Sequence, residues 1–155
     1  MKKLLTLCVV HQDSRILLGM KKRGFGEGRW NGFGGKVHDG ETLDAAARRE
    51  LTEEAGIIAQ DMEKAGILTF IFKEKEEEPL EAHIFSASTF EGEPYETEEM
   101  APRWFPVDEI PYHAMWPADQ YWLPLLLHGK RFTGTIIFEG FDRVIKQDIR
   151  EVAEV

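Results

Sequence analysis

The chain has 155 residues, of which 43% are hydrophobic and 30% are charged, and its formal net charge is −9. This length predicts one domain, residues 1–155, with a sizeable core, and the acidic balance argues against a nucleic acid polymer as partner, because duplex binding needs a basic surface. A small anionic ligand stays compatible with the composition if cations are grouped locally.

The first apolar run, residues 4–10, follows Lys2 and Lys3 in the manner of a signal peptide. The run is too short for that role, no small-residue cleavage site follows, and no stretch of the chain is long enough to span a bilayer. The single cysteine, Cys8, cannot form an internal disulfide and is expected in the core. We therefore expect a soluble, cytoplasmic protein with no membrane partner, and we expect a monomer.

Residues 4–10 and 16–20 are predicted to form strands joined by a turn. The segment that follows begins with Lys21 and becomes glycine-rich, with six glycines in positions 24–35. Glycines let a backbone approach a ligand closely, and nearby lysines supply positive charge for phosphate. The segment does not end in Gly-Lys-Ser or Gly-Lys-Thr, so it is not a Walker loop.

A helix is predicted over residues 41–56, with Thr42 as its N-cap. Glu50, Glu53 and Glu54 are spaced i, i+3, i+4, so the three carboxylates fall within about 100° of one face. That face continues the apolar stripe, which predicts that the carboxylates turn toward the protein body. Converging carboxylates repel one another unless a cation lies among them, and hard oxygen ligands suit Mg²⁺ or Mn²⁺. The spacing alone leaves two interpretations open, a metal site and a solvated acidic face.

The remaining chain predicts strands at 66–72, 81–87 and 104–107, a second helix at 115–127, and a closing hairpin of strands 132–138 and 143–149. Charged loops are expected at 73–78 and 92–100. Phe70 and Phe72 share one strand face, where they either wall a ligand pocket or fill the sheet core. Because the elements do not repeat as βα units, we expect an α+β fold.

The stretch from Gly35 to Ile57 resembles the Nudix box at every specified position. The pattern is Gly, five residues, Glu, seven residues, Arg-Glu-Leu, one residue, Glu-Glu, one residue, Gly-Ile. Residues 19–37 and 115–127 are similar to segments of the MutT branch of that family. The resemblance implies the Nudix fold, a mixed β-sheet sandwiched between helices (α/β/α). It also implies hydrolysis of oxidised purine nucleoside triphosphates, such as 8-oxo-dGTP, to the monophosphate and pyrophosphate. The implied metal is Mg²⁺, with Mn²⁺ as the alternative. This reaction sanitises the nucleotide pool and limits DNA damage.

The resemblance also implies roles for individual residues. The implied metal ligands are the Gly34 carbonyl, Glu50, Glu53, Glu54 and Glu99. The implied catalytic residues are Arg49, Glu53, Glu54 and Glu99. Arg49 is predicted to orient a glutamate through a charge-assisted pair. Glu53 and Glu99 are both candidates for the general base. The implied substrate-binding residues are Thr6, Lys21, Asn31, Phe33, Gly34, Gly35, Lys36, Trp116 and Asp119. Of these, Trp116 would stack on the purine, and Asn31 and Asp119 would hydrogen-bond its edge; a helix N-cap is the alternative role for Asp119.

The chain departs from the resemblance at one position. The mammalian member of the branch that resembles this chain has two adjacent aspartates after Trp-Pro, whereas this chain has Ala118 and Asp119. One base-reading carboxylate is missing, which leaves the base preference open but not the reaction.

Three alternative functions are weighed against this one. The first is a Nudix hydrolase of an undamaged dNTP, a dinucleoside polyphosphate or a sugar nucleotide, and the second is a nucleotide-binding module without turnover. The complete set of glutamates argues against the second. The third is a divalent-ion sensor, which leaves Lys21 and the Trp-Pro-Asp region unexplained.

Overall fold

The computed structural model describes residues 2–155, which form eleven β-strands and two α-helices. The strands are β1 Lys3–Gln12, β2 Arg15–Lys21, β3 Trp30–Asn31, β4 Phe33–Lys36, β5 Ile58–Ala59, β6 Met62–Phe72, β7 Leu80–Ala87, β8 Phe90–Glu91, β9 Met100–Pro106, β10 Arg131–Glu139 and β11 Arg143–Val152. The helices are α1 Leu43–Ala55 and α2 Asp119–Leu127, and short 3₁₀ turns lie at Lys73–Lys75 and Tyr112–Ala114.

Nine strands form one mixed sheet in the order β11-β10-β6-β7-β1-β2-β3, with β4 paired to β1 and β9 paired to β2. The β1–β7 and β6–β10 pairs are parallel, and β5 and β8 form a separate two-stranded ribbon. Alternate residues of β1 lie in different cores: Cys8 and Val10 pack in the core beneath α1, whereas Val9 packs in the core beneath α2. The predicted α+β fold, a mixed sheet between helices, is therefore confirmed.

Helix α1 has the predicted limits. The Thr42 hydroxyl oxygen accepts a hydrogen bond from the Ala45 N–H at 3.1 Å, which is the N-cap interaction. At the other end Gly56 adopts a left-handed conformation with φ of 74°, and its N–H donates to the Thr52 carbonyl. Leu51 on the inner face is fully buried, so α1 is fixed to the sheet along one side.

Helix α2 is shorter than the predicted span of 115–127, because it begins only at Asp119. Trp116 precedes Pro117, and a residue before proline is disfavoured in the helical region. Ala118 occupies the N-cap position without a side-chain bond, so the alternative role of Asp119 as N-cap is wrong. Pro124 lies inside the helix.

Every predicted strand is present, and most are longer than predicted; β6 begins at Met62 and β9 at Met100. The short strands β3, β4, β5 and β8 were not predicted, because two to four residues carry too little periodicity to be recognised. The charged segment at 73–78 contains a 3₁₀ turn rather than a simple loop. In the described part of the chain, neither helix has the length and apolar character needed to cross a membrane.

Candidate active site

Helix α1 turns two of its three glutamates toward the protein body. Glu54 is 3% exposed, and its Oε1 accepts a hydrogen bond from the Gly34 N–H at 2.9 Å. The Glu50 side chain is 14% exposed, whereas that of Glu53 is 55% exposed. The prediction that all three face inward is correct for Glu50 and Glu54 and wrong for Glu53. Consecutive helical residues lie about 100° apart, which carries Glu53 round the helix away from its buried neighbour.

Arg49 organises the outer part of this cluster. Its guanidinium donates to Glu41 from Nε at 2.7 Å and from Nη2 at 3.1 Å, and Nη2 also donates to the Lys36 carbonyl at 3.1 Å. Nη1 donates to Glu50 at 3.0 Å and to Glu53 at 3.3 Å. These bonds show that Arg49 orients glutamates, as predicted, and they hold the pKa of Glu41 down to about 2.

The carboxyl group of Glu54 is poorly stabilised as an anion. Burial raises its pKa to about 8, and the charge of Glu50 contributes to the rise. Lys21, whose Nζ lies 3.9 Å from Oε2, and the Gly34 N–H act in the opposite direction. A cation between Glu50 and Glu54 would remove the repulsion that now favours the protonated form.

The donor set around Glu50 and Glu54 fits a divalent cation with oxygen ligands. A Cβ on Gly35 would lie 2.7 Å from Glu50 Oε1, so only glycine leaves this carboxylate room beside the main chain. Among residues 2–155 no three His, Cys, Asp or Glu side chains are already gathered as a metal cage. This agrees with the outward position of Glu53, which would have to leave Arg49 to join the other two.

Glu99 lies in the 92–100 segment and is paired rather than simply solvated. Arg23 donates to Glu99 Oε1 from Nε at 3.2 Å and from Nη2 at 2.7 Å, which lowers the pKa of Glu99. The negative charge of Glu99 contributes to the raised pKa of Glu54, so the two carboxyl groups share one electrostatic neighbourhood. Arg23 was missed in the sequence, because its partner lies 76 residues away along the chain.

A cavity of about 790 Å³ adjoins the glutamate cluster. Eight of the nine predicted substrate-binding residues line it: Thr6, Lys21, Asn31, Gly34, Gly35, Lys36, Trp116 and Asp119. Phe33 does not, because its side chain is fully buried in the core beneath α1. The role of Phe33 in substrate binding stays a prediction, and its buried side chain leaves only the main chain for such a contact.

Aromatic side chains line one end of this cavity, called the aromatic end below. Phe25 packs on Trp116 with ring centroids 4.9 Å apart, and Phe72 stacks on Phe138 at 5.0 Å. Phe70 and Phe72 line the cavity and also pack against the core beneath α2, so both of the roles considered for them are present. The aromatic lining residues that the sequence analysis missed are Phe25, Phe138 and Phe141. For Phe25 and Phe141, the sequence feature that could have indicated this position was an aromatic residue next to glycine in a turn.

Asp119 supplies a buried carboxyl group to the aromatic end. It is 8% exposed, and its Oδ1 accepts a hydrogen bond from Trp122 Nε1 at 3.1 Å. Burial raises the pKa of Asp119 to about 7, although the Trp122 bond and the charge of Arg29 lower it. A carboxyl group that titrates near neutrality can either donate or accept at the edge of a ligand. Its neighbour Ala118 also lines the cavity and offers no polar side chain.

Lys21 joins the two ends, since it lines the cavity and approaches Glu54. The aromatic residues and the glycine-rich segment therefore share one cavity, and the glutamates of α1 adjoin it through Lys21 and Gly34 without lining it. An apolar planar group fits beside Trp116, and an anionic group fits between the lysines and the glutamates once cations offset their charge.

Comparisons with known proteins agree with this arrangement. A family model described as the NUDIX domain matches residues 1–126. The chain is 51% identical over 153 residues to the oxidized purine nucleoside triphosphate hydrolase of Danio rerio, covering 99% of the chain and 97% of the relative. It is 50% identical over 150 residues to the Mus musculus protein of the same name, covering 97% and 96%. Among solved structures, a MutT protein from Bacillus halodurans superposes with a TM-score of 0.85 at 28% identity, covering 95% of this chain and 97% of that one.

Proposed function

The chain belongs to the Nudix family and is a Nudix hydrolase, and from this premise we propose that it hydrolyses oxidised purine nucleoside triphosphates such as 8-oxo-dGTP. The products are the nucleoside monophosphate and pyrophosphate, and the role is sanitation of the nucleotide pool. Two relatives at about half identity over nearly their whole length carry the name of this activity, which supports the proposal.

The observation that carries the proposal is the continuity of the cavity. One end presents Trp116 and the buried Asp119, and the other reaches Lys21, which lies 3.9 Å from Glu54. A purine nucleotide has the same order of parts, with a flat base at one end and phosphates at the other. A divalent-ion sensor would need only the glutamates and would leave the aromatic end without a role.

Nudix hydrolases use divalent cations, and we propose Mg²⁺ here, with Mn²⁺ as the alternative. The ligands would be Glu50, Glu53, Glu54, Glu99 and the carbonyl of Gly34. When bound, such a cation offsets phosphate charge and lowers the pKa of a coordinated water.

The chain's own residues bind and orient the nucleotide. Trp116 stacks on the base, while Asn31 and Asp119 hydrogen-bond its edge. Lys21 and Lys36 offset charge on the phosphates, which lie along the glycines at positions 34 and 35. Holding the base at one end fixes where the phosphate chain meets the glutamates, and this positioning accounts for much of the catalysis in phosphoryl transfer.

The proton of the attacking water has two candidate acceptors. Glu53 is exposed beside Arg49. In Glu99, both hydrogen bonds from Arg23 go to Oε1, so Oε2 is the oxygen that could accept the proton. We infer that the enzyme is a cytoplasmic monomer of a single domain, since its substrates are free nucleotides and both helices pack on one sheet.

A turnover panel tests the proposal. Rates with Mg²⁺ are compared for 8-oxo-dGTP, 2-oxo-dATP, dGTP, dATP and dCTP, with products resolved by chromatography. We expect an oxidised purine to be preferred and pyrophosphate to be released, which would mean that Asp119 and Asn31 are sufficient without a second aspartate at position 118. Equal rates for all bases would retain the hydrolysis but refute the sanitising role, and binding without turnover would refute both.

A further inference from the structure

We propose that Arg29 is a positioning residue for base recognition, which holds Trp116, Asn31 and Asp119 in the arrangement that accepts the purine. The inference rests on the proposed function, because it concerns the same cavity. Arg29 lies just before β3, at the end of the glycine-rich segment, and it contacts or acts on all three groups.

The first contact is with the indole of Trp116. The guanidinium carbon of Arg29 lies 4.4 Å from the centre of the Trp116 ring, within the range of a cation–π interaction. The Arg29 side chain is only 21% exposed, so water screens this attraction weakly. Phe25 packs against the same indole. Together they restrict the plane on which a base would stack.

The second contact is with the amide of Asn31. Its Nδ2 donates a hydrogen bond to the main-chain carbonyl of Arg29 at 2.7 Å. With one end of the carboxamide engaged in this way, Oδ1 is the end left to accept from the base. The position of the Arg29 main chain therefore fixes the orientation of the Asn31 carboxamide, which keeps Oδ1 and one N–H for the base.

The guanidinium also anchors that main chain. Nη1 donates to the Phe141 carbonyl at 2.9 Å, and Nη2 donates to the carboxylate of Asp142. Both partners lie in the turn between β10 and β11, more than a hundred residues away in sequence. The side chain thus ties the glycine-rich segment to the opposite wall of the cavity, and the carbonyl that holds Asn31 belongs to the anchored residue.

The third effect is electrostatic and acts on Asp119. The positive charge of Arg29 lowers the pKa of Asp119 against the effect of burial. The other groups that face Asp119 are Trp122, which donates a hydrogen bond to it, and Tyr112, whose own pKa is raised by burial and by the charge of Asp119. Burial is the largest influence on Asp119, and Arg29 is the cation that acts against it, so Arg29 lowers the pH at which Asp119 changes from donor to acceptor.

Arginine suits this position better than lysine. A planar guanidinium stacks on an indole and also donates in two directions from its edge, whereas an ammonium is a strongly hydrated point charge. Substitution by lysine should therefore keep the electrostatic effect on Asp119 and lose most of the stacking and anchoring.

The experiment measures binding of the product 8-oxo-dGMP by calorimetry without divalent metal, between pH 5.5 and 9. Under these conditions the glutamate cluster makes no metal-dependent contribution. Three variants are compared with the wild type: Arg29→Met, Arg29→Lys and, as matched control, Arg15→Met. Arg15 makes the same kind of contact, 4.0 Å from the centre of the Trp104 ring, outside the cavity.

We expect Arg29→Met to weaken binding by up to about tenfold, because the cost of holding Trp116 in place without Arg29 is at most that of one partly desolvated cation–π contact. The midpoint of its pH dependence should move upward, because Asp119 loses a stabilising charge. Arg29→Lys should keep the wild-type midpoint and weaken binding about threefold, and Arg15→Met should match the wild type. In steady-state assays the KM of Arg29→Met rises, while its kcat stays within about twofold.

Wild-type affinity and an unchanged midpoint in Arg29→Met would overturn the inference, as would equal weakening by Arg15→Met. If Arg29→Met fails to fold, Arg29→Lys decides the matter, because wild-type affinity there would show that stacking and anchoring are dispensable. If the wild-type protein binds no purine monophosphate and turns over no purine triphosphate, the proposed function is refuted, and the inference with it.

Discussion

Replacing Glu54 with Gln removes a charge from the most buried carboxylate of α1 and keeps its shape. The amide oxygen can still accept the hydrogen bond from the Gly34 N–H. Without its charge, the site loses a ligand and part of the field that positions cations on the phosphates. We expect kcat with Mg²⁺ to fall by about 10²- to 10³-fold, the usual effect of removing one preorganised electrostatic group. Product binding in the aromatic end should be unaffected.

The same substitution should stabilise the metal-free protein at alkaline pH. The pKa of Glu54 is raised from 4.5 to about 8 by folding, so between these values the folded state holds a proton that the unfolded state releases. The free energy of unfolding therefore falls as the pH rises through this window, and the loss is complete above pH 8. At about 1.4 kcal/mol per pH unit, the upper limit of the penalty is about 5 kcal/mol. Glutamine cannot ionise, so Glu54→Gln does not lose this unfolding free energy at alkaline pH.

Two assays check this account: steady-state turnover, and urea unfolding with a chelator at pH 5 and pH 9. Glu54→Gln should match the wild type in stability at pH 5 and exceed it at pH 9. Glu53→Gln is the control, because a side chain that is 55% exposed carries little desolvation penalty. Near-wild-type turnover of Glu54→Gln would contradict the role of Glu54 in catalysis, and lower stability than the wild type at pH 9 would contradict its buried, ionisable state.

Four further substitutions test other parts of the site. Trp116→Leu should raise the KM for purine triphosphates by about 10-fold or more, the value of one base–aromatic stack, with kcat nearly unchanged in the same kinetic assay. Because burial raises the pKa of Asp119 to about 7, Asp119→Asn should be more stable than the wild type to urea at pH 8 but not at pH 4. The same variant should lose purine affinity. Equal stability gains at pH 4 and pH 8 would contradict the effect of burial. Gly35→Ala places a Cβ 2.7 Å from Glu50 Oε1, so calorimetry should show weaker divalent-metal binding while the melting temperature changes little. Arg49→Lys keeps the charge but loses the planar fork, and its kcat should fall about tenfold or more; full activity would mean that orientation of the glutamates is unimportant.

Local sequence rules account for much of the catalytic half of the site. The Thr42 cap, the left-handed Gly56 and the i, i+3, i+4 glutamates are all relations within one helix, and each lies where it was predicted. The exception is Glu53, which was assigned to the buried arc. A helical period gives the angle between side chains but not the position of the sheet against which the helix packs. The sequence therefore could not show whether Glu53, at the edge of the predicted buried face, is buried or exposed.

The base-binding half depends on contacts that no local rule contains. The start of α2 was misplaced because Pro117 displaces Trp116 from the helix, which the apolar pattern of 115–127 conceals. The contacts of Arg29 with Trp116 and with the β10–β11 turn join segments that only the sheet topology brings together. The burial of the Phe33 side chain could not be predicted for a related reason. The alternation of β4 buries it beneath α1, and a strand of four residues is too short to show which face points outward.

Hydrolysis of an oxidised purine triphosphate can be tested by a competition assay. Equal concentrations of 8-oxo-dGTP and dGTP are mixed with limiting enzyme and Mg²⁺, and the monophosphates and phosphate products are resolved in the same reaction. The account predicts that 8-oxo-dGMP accumulates well before dGMP, with one pyrophosphate released for each monophosphate. Consumption of both nucleotides at the same rate, or release of orthophosphate in place of pyrophosphate, would contradict it.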